Sequence, residues 1–89
     1  MESKNITELD LLRDNIDKID SELIHLLHKR FEISKNIGII KKQNNVTILD
    51  SNREEKVKTN WKANSINEVN LLPILETILT VSKDIQSKL

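Results

Sequence analysis

The sequence predicts an all-α fold, and three observations predict it. One Gly, one Pro and two aromatic residues, Phe31 and Trp61, are too few turn and β-forming residues for a sheet protein. Apolar residues recur at alternating spacings of three and four from Leu9 to Ile40, which is the period of an amphipathic helix. Much of the remainder is Leu, Ile, Lys, Glu, Asp and Asn, with no alternating strand pattern. Eighty-nine residues bound this to one domain.

The first helix is predicted over residues 8–42, with Thr7 or Asn5 as its cap. Its seam reads Leu9, Leu12, Ile16, Ile19, Leu23, Leu26, position 30, Ile33, Ile37 and Ile40. Position 30 is Arg30, a permanent cation where a leucine would fit. Placing it in a helical core is costly unless an anion meets it there. Gly38 also lies inside the pattern and costs ~1 kcal/mol relative to Ala, so a packing reason is expected. A helix of about 35 residues is ~50 Å long. A compact chain of this size has a radius of gyration of only ~12 Å. The seam is therefore expected to be covered by a second copy, in an intertwined or antiparallel homodimer.

Residues 43–49, QNNVTIL, break the pattern and form a loop. A second helix is predicted over 51–62. Ser51 to Glu54 fits a capping box, and Asp50 is a rival cap. Residues 62–70, KANSINEVN, form a polar connection. The third helix is predicted over 70–87, with Pro73 in its first turn. Its face reads Leu75, Leu79, Ser82, Gln86 and Leu89, so a second seam also carries polar groups.

Charge and composition exclude several functions. Fourteen basic and fourteen acidic residues leave no net charge, which argues against a nucleic-acid surface. No apolar run approaches a membrane span and no signal peptide opens the chain. The absence of cysteine excludes a thiolate site and favours the cytoplasm. His25 and His28 stand three apart but lack a third ligand, so no metal site and no cofactor are expected.

The polar residues form a constellation. Arg30 and Lys41 are eleven residues apart, which on one helix leaves them ~20° apart around the axis and ~16 Å apart along it. Ser34 and Ile37 lie between them on the same face. Arg13 is ~25 Å before Arg30 and cannot share a small ligand with it, but an antiparallel partner chain could bring its copy close. Asp50, Arg53 and Glu54 share one face of the second helix's first turn, and Ser82 and Gln86 are an i, i+4 pair. The set suits a small ligand with two carboxylates and neutral oxygens. It holds no activated nucleophile, so its chemistry is binding and electrostatic stabilisation. Read alone, Arg30 serves equally well as a structural ion pair with a partner-chain carboxylate, Arg13 is a solvated helix residue, and Asp50 is a cap.

Read together, these residues resemble the all-helical chorismate mutase family. The resemblance begins at LDLLRDNIDKIDSELIHLLHKRFEISKNIGIIKK, continues through D-x-x-R-E at Asp50 to Glu54, and ends with S-x-x-x-Q at Ser82 to Gln86. It implies a dimer of crossed long helices in which Arg13 is lent to the partner's site. It implies that Arg30 pairs with a substrate carboxylate and that Lys41 contacts a carboxylate and the ether oxygen of chorismate. Gln86 would bond that ether oxygen from the other side. Glu54, aided by backbone near Asp50, would accept the ring hydroxyl, while Arg53 and Ser82 would support the second carboxylate.

The implied reaction is the Claisen rearrangement of chorismate to prephenate. Because Gln86 is an amide, activity is expected to persist at neutral pH. A lyase on the same fold that releases pyruvate from isochorismate is the alternative enzyme. A non-catalytic helical dimerisation module is the alternative without chemistry.

Overall fold

The computed structural model describes residues 4–66 and 69–89, with side chains described from Thr7 onward. Three helices follow in order: α1, Lys4–Gln43; α2, Ser51–Asn64; and α3, Leu72–Ser87. No strand occurs among the described residues. The all-α expectation therefore holds, and the boundaries move by a few residues.

The largest shift is at the start of α1, which begins at Lys4 rather than near residue 8. Thr7 and Asn5 lie inside the helix and do not cap it. An exposed Thr costs a helix only a few tenths of a kcal/mol relative to Ala, too little to stop it. The side chain of Asn5 is outside the described residues. Residues 67 and 68 of the polar connection are likewise outside them.

The chain divides into two units, one ending at Arg30 and one spanning Phe31–Leu89. The N-terminal unit is a single run of α1. Its seam residues Leu9, Leu12, Ile16, Ile19, Leu23 and Leu26 are all exposed. Nothing within that unit covers them, because a lone helix has no second surface to bury its apolar face against.

The C-terminal unit contains the rest of α1 together with α2 and α3. Here α2 packs on α3, and Val57, Leu75 and Ile78 are the buried apolar residues. The third-helix face expected at Leu75 and Leu79 is thus centred on Leu75 and Ile78, with Leu79 half-buried. Both spacings, three and four, lie on one helical face, so the shift is a small rotation.

Each end of α2 has a local cause. Asp50 is the N-cap, in extended conformation, and its carboxylate accepts a hydrogen bond from the Arg53 backbone N–H at 3.0 Å. Ser51, the expected capping-box residue, sits inside the helix instead. The carboxylate of Asp50 reaches the third helical N–H, and its own carbonyl accepts from the Glu54 N–H at 3.0 Å. At the far end, the Ser65 hydroxyl donates to the Trp61 carbonyl at 2.8 Å. Helix α3 opens two residues later than predicted. Asn70 is not helical. Its side-chain oxygen accepts from the Leu72 N–H at 3.1 Å and so turns the chain into the helix.

The end of α1 positions the loop that matters most. Asn45 adopts φ of 57°, in the left-handed region. The Val46 N–H returns to the Lys41 carbonyl at 2.8 Å, and the Asn45 N–H to the Lys42 carbonyl at 3.4 Å. This pair of bonds is a Schellman closure, with Asn in the place usually held by Gly. Asn tolerates that conformation better than other non-Gly residues, and a β-branched residue does not. Asn45→Val should lower stability by about 1–2 kcal/mol, while Asn45→Gly should preserve or raise it. Thermal unfolding followed by circular dichroism reads both. A Val variant that melts like the parent would remove Asn45 from this role.

Candidate active site

The closure at Asn45 folds the loop back over the end of α1. As a result the Lys41 ammonium donates to the Ile48 carbonyl at 2.8 Å. Lys41 is half-buried, and an ammonium carries three protons, so this bond steadies the side chain without exhausting it. Lys42 reaches the other way and donates to the Leu89 carbonyl at 2.9 Å.

Two turns before Lys41 on α1, Ser34 is buried. Gln86 crosses from α3 to meet it. Its Nε2 donates to the Ser34 carbonyl at 3.0 Å and to the Ser34 hydroxyl at 3.2 Å. A backbone carbonyl can only accept, so this contact fixes which end of the amide faces α1. Gly38 makes the crossing possible. A Cβ there would lie 2.7 Å from Leu89 Cδ1, 2.8 Å from Gln86 Cγ and 3.1 Å from Gln86 Cβ. The packing reason expected for this glycine is therefore the approach of α3.

A second crossing joins α3 to α2. The Lys83 ammonium lies 3.0 Å from Glu54 Oε1. Both side chains retain solvent contact, so the pair contributes no more than about 1 kcal/mol. Its larger effect is geometric, since it fixes one oxygen of the Glu54 carboxylate. Ser82, one turn before Gln86, is also buried. Arg53 is exposed, and its backbone serves the Asp50 cap.

Within the C-terminal unit, Gln86 joins α3 to α1 at Ser34, Lys83 joins α3 to α2 at Glu54, and Lys41 holds the loop before α2. The two arginines of the N-terminal unit differ. Arg30 is half-buried at its last position. Arg13 is exposed, and its Nη1 lies 4.0 Å from Asp10 Oδ1 one turn earlier. Among the described residues, no three His, Cys, Asp or Glu side chains cluster to hold a metal ion. Trp61 lines an open cleft of about 690 Å³ with Lys58, Lys62, Val69, Leu71 and Leu72, at the end of α2 away from these groups.

Sequence reasoning placed Ser34 on the right face but missed its bond to Gln86. The signal was present in Ser34 and Gly38, two small residues four apart, which mark a face that another helix can approach closely. Lys83 was missed altogether, and no periodicity distinguishes it.

A family model described as chorismate mutase type II matches residues 12–87. The chain belongs to that family. An intracellular chorismate mutase of Mycobacterium tuberculosis is 40% identical over 57 residues, covering 64% of this chain and 54% of the relative. A bifunctional chorismate mutase/prephenate dehydratase of Aquifex aeolicus is 42% identical over 50 residues, covering 56% of this chain and 14% of that protein. The chain spans about half the length of the mycobacterial relatives it matches. A solved structure, a conserved hypothetical protein from Pyrococcus furiosus, superposes with a TM-score of 0.78 at 45% identity. That superposition covers 96% of this chain and 99% of the other. The type II chorismate mutase match spans every candidate site residue, from Arg13 to Gln86.

Gly38 offers a test of this geometry. Gly38→Ala would gain ~1 kcal/mol of helix propensity but force Gln86 Cγ and Leu89 to move. Overpacking costs about 1–3 kcal/mol, so a net loss of about 1 kcal/mol is expected in chemical denaturation. A gain in stability would show that α3 yields freely at this point.

Proposed function

We propose that this protein is a chorismate mutase that converts chorismate to prephenate. The observation that carries the reading is the family match over residues 12–87, which includes all the candidate site residues. In the reaction the ether C–O bond breaks as a new C–C bond forms within the same molecule. No proton, metal or cofactor takes part.

The site then has two tasks. The first is to hold the chair-like diaxial conformer in which the two reacting carbons meet, an entropic task suited to fixed charges. Arg30 pairs with one carboxylate of chorismate. Arg53 and Ser82 support the second, Arg13 arrives from a second subunit, and Glu54 accepts the ring hydroxyl near the Asp50 backbone. The second task is to stabilise negative charge on the ether oxygen as the bond breaks. Lys41 and Gln86 do this from opposite sides.

The dimer belongs to the same proposal. Leu9, Leu12, Ile16, Ile19, Leu23, Leu26, Ile33, Ile37 and Ile40 are exposed along α1. A second copy of α1 would cover this seam and bring Arg13 to the neighbour's site. A cytoplasmic setting is also proposed. Among the described residues, no helix is long and apolar enough to cross a membrane.

Purified protein given chorismate or isochorismate decides among the readings. Loss of chorismate with formation of prephenate is expected, sustained through neutral pH because Gln86 does not titrate. Lys41→Ala and Gln86→Ala should each lower kcat by about 10²-fold or more while the fold survives. Pyruvate released from isochorismate alone would favour the lyase. Turnover of neither substrate by a folded protein would favour a dimerisation module.

A further inference from the structure

Gln86 is held more tightly than its proposed role alone requires. Its Nε2 faces two acceptors on one residue, the Ser34 carbonyl at 3.0 Å and the Ser34 hydroxyl at 3.2 Å. Ser34 is buried, with 6% of its surface exposed, and the glycine one turn later leaves room for the amide. The two acceptors are not equivalent. The carbonyl is fixed in the α1 backbone and can only accept. The hydroxyl rotates about its own bond and both donates and accepts.

We propose that Ser34 is the positioning residue of Gln86, its carbonyl fixing the amide's orientation and its hydroxyl holding the second N–H until substrate oxygen replaces it. This rests on the mutase reading for its catalytic consequence. One amide proton stays on the carbonyl throughout. The other rests on the hydroxyl in the free protein and turns to the ether oxygen when chorismate is bound. The amide is never left as an unpaired buried donor in either state, which would cost free energy. It also cannot flip to present Oε1, because two carbonyl-type oxygens would then face each other. The donor is therefore preorganised, and the transition state needs no side-chain reorganisation to use it.

Ser34→Ala removes one oxygen and leaves the carbonyl in place, and alanine is favoured in helices. Should that variant fail to fold, Ser34→Cys keeps a similar volume with a weaker acceptor and carries the same expectations. Two readouts are needed. In steady-state kinetics on chorismate, Ser34→Ala should lower kcat about three- to tenfold with KM changed less than about twofold. In a Gln86→Ala background the same substitution should cost nothing further. In nitrogen-15 spectra of the free protein, one of the two Gln86 Nε2 proton resonances should move in Ser34→Ala while the other stays. An equal loss of kcat in both backgrounds, or unchanged Gln86 amide resonances, would overturn the proposal. If the parent turns over no chorismate, the mutase reading fails, and the resonances still decide whether Ser34 positions Gln86.

Discussion

An apolar seam interrupted by one arginine is the constraint on which the rest of this protein depends. The nine apolar members of that seam, from Leu9 to Ile40, are exposed in the isolated chain. Among the described residues only Val57, Leu75 and Ile78 form a buried apolar core. Burying one Leu or Ile side chain is worth about 1.5–3 kcal/mol. The seam therefore holds far more unrealised burial than the core has realised. Small domains with so little core commonly gain their stability by oligomerisation. The proposed second copy meets that need, and it explains how Arg30 is tolerated. A cation among covered leucines requires an anion, and under the proposed function a ligand carboxylate supplies one.

Within the C-terminal unit, three local devices position polar side chains. Asn45 closes the end of α1, so that the following loop returns to Lys41 and its carbonyl at Ile48 receives the ammonium. Gly38 lets α3 come close enough for Gln86 to reach the backbone of α1. Asp50 caps α2, and the same first turn carries Glu54 toward Lys83. Each device acts on backbone geometry, and each fixes one polar side chain: Lys41, Gln86 or Glu54. The polar groups of α1, α2 and α3 are thus set by helix ends and helix crossings rather than by a loop.

Much of this was legible in the sequence, because helices report themselves through periodicity. The seam, the D-x-x-R-E turn and the polar interruptions at Ser82 and Gln86 follow from spacing. What spacing does not contain is the crossing of one helix over another. The bond between Gln86 and Ser34 joins residues 52 apart, and the Lys83 contact with Glu54 joins two helices. Neither has a local pattern. The choice of Asp50 over Ser51 as cap was open for a different reason. Both residues can cap, and the backbone conformation at position 50 decides between them. The start of α1 eluded prediction because a threonine only weakly opposes a helix.

The central claim is that each site is built from two chains, with Arg30 of one and Arg13 of the other. Subunit complementation tests it most directly. Arg13→Ala and Arg30→Ala proteins, each inactive alone, are unfolded together and refolded as a mixture. Random pairing makes half of the dimers mixed, and each mixed dimer regains one intact site of its two. Activity should recover to about a quarter of that of the parent. A mixture no more active than its components would contradict the shared site and return Arg13 to the solvated surface of α1.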